Sequence, residues 1–428
     1  MYFCYLKLVN MRLVLENIGM LSKADLQVNG ISLIAGSNDS GKSTISKIFY
    51  SVVKGLNLNK KYFENWKNGI IKDNYQEILK VLRANDVDIN GLITDEINKD
   101  WVDRLRTLTE KVIKTTHQKE AFLKYIRHID YYIRLDFDSK SAREEELYQY
   151  LTLEFSRQVS SVFKEKHAKV KIYDIEGKSE FTINEYYTLV NKKIIELSKN
   201  IDLYYNDAYY IESPLIINGS LEKSTVFSDS NEMLTRDRKD YLKNVLSNQN
   251  IIASDELISN KVKSVYAKIG KIINGEIILD PIDGISYSKN NQDIHIDNVA
   301  VGIKSFGVLQ LLLKKNRLNS RTLLIIDEPE IHLHPNWQLK YAEILVILSQ
   351  ELNVPILLTS HSPYFIEALD IYSKKYGYSK SVNYYYTKKT KNGLSSKLID
   401  ATDDITPLLM TLSDAYYTIK EIEDELNN

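Results

Sequence analysis

Ile31-Ser32-Leu33-Ile34-Ala35-Gly36-Ser37-Asn38-Asp39-Ser40-Gly41-Lys42-Ser43-Thr44 is the stretch that decides how the rest of the chain reads. Ile31 to Ala35 follow Asn29-Gly30, a hairpin-type turn, and read as a buried strand. Residues 36–43 fit G-x-x-x-x-G-K-[ST] in full, and a helix is expected from about Lys42. A loop in that setting turns backbone N–H groups and the positive end of a helix toward phosphate oxygens. Gly36, Ser37, Asn38, Asp39, Ser40, Gly41, Lys42, Ser43 and Thr44 are therefore the candidate nucleotide-binding residues. Lys42 would reach the β- and γ-phosphates, and the Ser43 hydroxyl would bind Mg²⁺.

Three later stretches fit the same chemistry. Leu323-Leu324-Ile325-Ile326-Asp327-Glu328 is an apolar strand ending in two carboxylates, a Walker B arrangement. Asp327 would hold Mg²⁺ through water, and Glu328 would polarise an attacking water. Leu357-Leu358-Thr359-Ser360-His361 is another strand. It ends in a histidine able to meet the γ-phosphate or that water. Alone, His361 would read as a structural histidine; its place one helix after Glu328 makes it a catalytic candidate beside Glu328 and Lys42. A Ser-His-acid hydrolase triad is set aside, because no G-x-S-x-G elbow is present. In Gly302-Ile303-Lys304-Ser305-Phe306-Gly307, Ser305 reads either as the cap of a following helix or, with Gly307, as an anion-binding helix start.

Composition bounds the rest. At 428 residues, two or three domains or one domain with a large insertion are expected. Hydrophobic residues at 43% and charged residues at 26% exclude a mainly disordered chain. A net charge of -1 excludes a globally basic nucleic-acid coat. The single cysteine, Cys4, excludes an intramolecular disulfide and a cysteine-built zinc site. No apolar run is long enough to span a membrane, and Met1 to Val9 reads as a strand, not a leader. A cytoplasmic location is expected.

Along the chain, short strands up to Leu56 give way to helix-period patterns without proline. The expected organisation is one half of an α/β head at 1–57, a mostly helical arm insertion at 58–204 and the second half at 205–428. A small hairpin, at 171–175 and 180–183, is expected inside the insertion. A late hairpin at about 381–399 carries lysines and tyrosines, including Lys388, Lys389, Lys391 and Tyr384 to Tyr386. It reads as a solvated edge hairpin, with weak nucleic-acid contact as the alternative. Tyrosine, at 30 against 11 phenylalanines, clusters at Tyr131-Tyr132, Tyr186-Tyr187, Tyr204-Tyr205, Tyr209-Tyr210, Tyr384 to Tyr386 and Tyr416-Tyr417. Those segments are expected to carry partner contacts.

The order of these motifs resembles the ABC-type ATPase heads of the SMC, RecF and OLD group. Lys42 and Asp327 stand 285 positions apart, which suits a head interrupted by an arm. Asp327-Glu328-Pro329-Glu330-Ile331-His332-Leu333-His334-Pro335 resembles OLD-like ATPases of bacterial anti-phage defence, of the Septu, PARIS and AbiL type. The resemblance implies ATP and Mg²⁺ as ligands. It also implies a homodimer, or a higher oligomer, with ATP sandwiched between heads and Ser305 and Gly307 on the partner's γ-phosphate. Glu330, His332 and His334 would be D-loop residues at that interface, and Glu212 would stand at the glutamine-loop position. Family likeness further implies a sensor or regulatory scaffold for a separate effector, a nuclease, since the 67 residues after His361 leave no room for a Toprim domain. The rival readings are a DNA-repair head that binds DNA through its arms and a non-hydrolysing ATP-bound platform.

Overall fold

The structure, a computed structural model, describes residues 11–84, 97, 99–112, 116–161, 167–174, 177–183, 195–199, 202–219, 235–247, 259–280 and 284–427. The strand expected at Met1–Val9 and the pair Tyr186-Tyr187 lie outside them.

Strands β1 (Met11–Ile18), β2 (Leu21–Val28) and β3 (Ile31–Ala35) lead into helix α1 (Lys42–Leu56). Helices α2 (Lys60–Arg83), α3 (Lys99–Val112), α4 (Thr116–Arg134) and α5 (Lys140–Phe155) follow. Strands β4 (Ala168–Asp174), β5 (Gly177–Ile183), β6 (Ile195–Leu197) and β7 (Asp207–Ile211) precede α6 (Arg238–Ser247) and α7 (Asn260–Ile273). A meander of β8 (Glu276–Asp280), β9 (Gly284–Lys289) and β10 (Gln292–His295) leads to α8 (Val301–Lys314). Then β11 (Thr322–Asp327), α9 (Pro335–Leu352), β12 (Ile356–Ser360) and α10 (Pro363–Lys375) alternate. The hairpin β13 (Val382–Lys389) and β14 (Ser396–Asp400) and the helix α11 (Thr406–Asn427) close the chain.

The described residues divide into two compact units. The first is built on an eleven-stranded sheet of order β6-β5-β4-β1-β2-β14-β13-β3-β12-β11-β7. Neighbours from β13 to β7 all pair in parallel. Their carboxyl ends therefore share one edge, where a parallel sheet places its ligands. Register fixes who meets there: Ala35 lies beside Ser360 and Tyr386, Asp327 beside Thr359, and Ile326 beside Ile211.

These central strands are apolar without alternation because helices cover both faces. Ile34, Leu323, Ile325 and Leu357 pack with Ile45, Phe49 and Val53 of α1. Leu33, Leu324, Ile326 and Leu358 pack with Leu309 of α8, Leu345 of α9 and Phe365 of α10. The fold class expected from sequence, a mixed sheet with helices, is the one observed.

Two expectations are corrected. The hairpin placed inside the insertion is β4–β5, and β4 pairs antiparallel with β1 (Arg12↔Tyr173 to Glu16↔Lys169), so it extends the main sheet. The late hairpin is no edge: β13 pairs with β3 and β14 with β2, in the middle of the sheet. Both pairings join segments far apart in sequence, which local alternation does not reveal.

The second unit is formed by Leu58–Glu146, a shorter span than the 58–204 expected. Asn59 caps α2, its side-chain oxygen accepting from the Tyr62 N–H at 3.0 Å. Ile78 and Leu82 of α2 pack with Trp101 of α3 and with Phe122 and Ile126 of α4, a core of its own.

Candidate nucleotide site

The loop after β3 is shaped by residues that tolerate positive φ. Gly36 has φ +149° and Gly41 φ +91°. A Cβ on Gly36 would overlap Thr387 Oγ1, and one on Gly41 would lie 2.8 Å from Leu21 Cδ2, so neither position admits a side chain. Asp39, at φ +56°, adopts the same region, which an acidic side chain tolerates. Inside the loop, Ser40 Oγ donates to the Ser37 carbonyl at 2.7 Å. Thr387 Oγ1, on β13, lies 2.6 Å from Ser40 Oγ and 3.3 Å from the Ala35 carbonyl. The interior position of the late hairpin thus braces the loop.

Gly41 is the N-cap of α1 and supplies no capping side chain, and the first turn holds no acid. The first-turn N–H groups remain available to an anion, with the helix dipole behind them. Lys42 is buried and folds across the loop, donating to the Gly36 and Ser37 carbonyls at 2.9 and 3.0 Å.

The carboxylates come from the end of β11. Asp327 Oδ1 accepts from Ser43 Oγ at 3.3 Å and from the Thr359 hydroxyl, and Oδ2 accepts from the Tyr210 hydroxyl at 3.0 Å. Burial and the Asp327 charge push the Tyr210 phenol well above its usual range, so it stays a donor. Glu328 turns out of the strand at φ +49°, and its N–H donates to the Thr359 carbonyl and to Thr359 Oγ1, both at 3.1 Å. This non-glycine residue in the left-handed region is held by that bifurcated hydrogen bond. Its Oε1 lies 3.6 Å from Lys42 Nζ and 3.5 Å from His361 Nδ1. One carboxylate thus stands between the loop lysine and the histidine that follows β12.

Other expected residues are placed differently. Helix α8 begins at Val301 with Ala300 as its cap, so Ser305 does not cap it. Ser305 is buried and its hydroxyl donates to the Val301 carbonyl at 3.2 Å. It lines a shallow cleft with Glu212, Asp327, Glu328 and His332 of the same chain. Gly307 packs under the small meander, where a Cβ would lie 2.6 Å from Ile277 Cγ1. Its small size answers to packing. Glu330 is buried and accepts from Ser360 Oγ, so it does not face a partner, while His334 caps α9. Ile331, His332, His334 and Pro335 are the exposed members of that segment.

Glu212 accepts ion pairs from Arg238 and Lys239 at 3.1 Å each. Burial raises its pKa, but Lys239 and Arg238 outweigh that and hold its carboxyl below the usual range. Arg238 also pairs with Glu154 and sits 4.8 Å from the Tyr210 ring centroid. Tyr384 and Tyr385 are buried and unavailable for base stacking, whereas Lys388, Lys389 and Lys391 are exposed. Tyr210, Thr359 and Thr387 were not singled out by the motifs. Register beside Asp327 finds Thr359, and Thr387 is the residue after Tyr386, which lies beside Ala35.

A family model for the AAA ATPase domain matches residues 11–366, spanning the loop, both carboxylates and His361. The chain belongs to the AAA ATPase domain family. Its similarity to solved structures is distant. The SMC head bound to the C-winged helix domain of ScpA shares 13% identity over 91% of this chain and 96% of that one, at a TM-score of 0.45. The SMC head domain from Thermotoga maritima shares 10% identity over 91% and 97%, at 0.39. A Pyrococcus furiosus complex of an SMC head domain and the C-terminal domain of ScpA shares 13% identity over 96% and 98%, at 0.41.

An AAA ATPase domain implies a nucleotide and Mg²⁺, and the donors present suit both. Ser43 and Asp327 offer a hydroxyl and a carboxylate 3.3 Å apart, the hard oxygen set that Mg²⁺ takes beside waters and phosphate. No cluster of three or more His, Cys, Asp or Glu side chains that could hold a metal on its own occurs among the described residues. A site completed by phosphate oxygens needs none. No helix among the described residues is long and apolar enough to cross a membrane.

Proposed function

We propose that this chain binds Mg²⁺-ATP at the loop Gly36 to Thr44 and hydrolyses it slowly. The observation that carries the reading is Glu328 Oε1, at 3.6 Å from Lys42 Nζ and 3.5 Å from His361 Nδ1, beside Asp327 bonded to Ser43. Lys42 and the uncapped start of α1 take the β- and γ-phosphates. Ser43 and Asp327 would hold Mg²⁺, which would supply charge neutralisation on the phosphate oxygens. Tyr210 and Thr359 orient Asp327. Glu328 accepts a proton from the attacking water, and His361 stands across from it.

Dimerisation on ATP is part of the proposal, with two nucleotides sandwiched between heads. Of the pair the resemblance assigns to the partner's γ-phosphate, Ser305 is the one we retain, because Gly307 is enclosed against Ile277. Exposed Ile331 and Tyr364 flank the loop segments of Glu328 and His361 and fit such an interface. The dimer would be a cytoplasmic sensor or scaffold for a separate effector in anti-phage defence, the effector being a nuclease. That role rests on the Asp327-to-Pro335 resemblance.

Equilibrium binding and light scattering test the scheme. Mg²⁺-ATP should bind the unsubstituted chain and fail to bind Lys42→Ala. It should accumulate a dimer of Glu328→Gln. A Glu328→Gln chain that binds ATP and stays monomeric at micromolar concentration would remove the sandwich. Co-purification of a nuclease encoded beside this gene would support the effector; an isolated gene with a DNA-damage phenotype would count against it.

A further inference from the structure

The residue two positions after Glu328 is buried in the protein, and its surroundings point to a function for it. Glu330 is 4% exposed. Its Oε1 accepts from Ser360 Oγ at 2.7 Å, from the His361 N–H at 2.7 Å and from the Ser362 N–H at 3.1 Å. The same oxygen lies 3.5 Å from His361 Nδ1. Its Oε2 is buried and has no hydrogen-bond partner among the described residues. Around it, Ser362 Oγ donates to Gln338 Oε1 at 2.7 Å, and Gln338 donates back to the Leu333 carbonyl at 3.1 Å. The turn after β11 and the turn after β12 are thereby tied together through one carboxylate.

Loop fixation alone does not need a charge. A neutral acceptor would satisfy the three donors, and an ionised group with one bare buried oxygen is costly. Among the described residues, the ionisable side chain within ion-pair reach of Glu330 is His361. We propose that Glu330 is the positioning residue of His361. It fixes the backbone of the histidine loop and, with Glu328 Oε1 at the same 3.5 Å from Nδ1, keeps the imidazole proton on Nδ1 and leaves Nε2 unprotonated. A buried carboxylate behind a histidine sets tautomer and ring orientation in this way in other enzymes and metal sites. The catalytic part of the inference rests on the ATPase reading above; the tautomer part does not.

Glu330→Gln separates the two jobs, since the amide keeps an acceptor oxygen and loses the charge. The expected result is an unchanged melting temperature, a KM within about twofold and a kcat lowered about tenfold or more, within the range ascribed to acid–base groups. Glu330→Ala should lower kcat and melting temperature together. Nitrogen-15 NMR of histidine-labelled unsubstituted protein should show His361 protonated at Nδ1, with that signal displaced in Glu330→Gln. Wild-type kcat in Glu330→Gln, or an Nε2–H tautomer in the unsubstituted protein, would overturn the proposal. If Glu330→Gln does not fold, or if the chain has no turnover, the tautomer of the unsubstituted protein decides alone.

Discussion

Gly36 shows what a single position in the loop demands. Its φ of +149°, and Thr387 Oγ1 standing where a Cβ would go, leave no room for alanine. Gly36→Ala should weaken ATP binding at least about tenfold and lower the melting temperature, measured by titration calorimetry and thermal denaturation. Tyr210 makes a finer test. Tyr210→Phe removes the donor to Asp327 Oδ2 and little else. A hydrogen bond to a charged group contributes roughly 1.5–3 kcal/mol, so about a tenfold loss in the Mg²⁺-dependent part of ATP affinity is expected. An unchanged Mg²⁺ titration would mean that Tyr210 does not orient the metal ligand. At this scale motif and context in the sequence single out Lys42, Ser43, Asp327, Glu328 and His361, and the fold brings these side chains together. Motif and context do not single out Tyr210, Thr359 or Thr387, whose importance comes from neighbours 117, 32 and 347 positions away.

Elements carry the next set of consequences. From sequence Ser305 reads as the cap, or with Gly307 the anion-binding start, of a helix that follows it; helix α8 instead begins at Val301, and Gly307 lies against β8. Gly307→Ala should cost about 1–3 kcal/mol of stability by overpacking against Ile277, read from denaturant unfolding, with ATP affinity preserved. The end of α1 is tied to the start of β7 by Lys54 Nζ and Asp207 Oδ1 at 2.7 Å, with the Tyr241 hydroxyl on Asp207 Oδ2 at 2.7 Å. Burial disfavours the Asp207 charge, yet Lys54 and Tyr241 hold its carboxyl below the usual range. A carboxyl depressed in the folded state stabilises above its unfolded pKa and loses that contribution as pH falls through the folded one. Lys54→Met should therefore destabilise near neutral pH, by roughly 2–3 kcal/mol. The difference from the unsubstituted chain should shrink below about pH 4, where Asp207 is free to protonate in the variant. Equal destabilisation at pH 7 and pH 3 would contradict the assignment. Strand and helix types were largely legible here, because β3, β11 and β12 are short apolar runs set between turns and helices. Partners were not: β4 against β1 and β13 against β3 are chosen by tertiary packing, and no period in either segment encodes them.

The whole molecule brings together halves of a site that the chain separates by 285 positions, and the parallel register from β3 to β11 is what closes that distance. The tyrosine excess takes a different meaning at this scale. Tyr205, Tyr209, Tyr210, Tyr384 and Tyr385 are core residues, with Tyr205 donating to the Val28 carbonyl at 3.0 Å and Tyr209 stacked on Tyr241. They fill the sheet interior, where Tyr205, Tyr210 and Tyr385 also anchor their hydroxyls; they are not a reservoir of partner contacts. Exposed Tyr131 and Tyr364 are the better candidates for that role. The near-neutral charge remains consistent with a nucleotide-centred function, and the central place of the late hairpin takes Tyr384 and Tyr385 out of any nucleic-acid surface. In the proposed function, Glu328, set between Lys42 and His361, makes this chain hydrolyse ATP. Phosphate release from Mg²⁺-ATP, compared between the unsubstituted chain and Glu328→Gln, tests it most directly. Measurable turnover in the first, and a fall of about a hundredfold or more in a second that still binds ATP, is the predicted result. Turnover no higher than that of Lys42→Ala, or full turnover in Glu328→Gln, would contradict it.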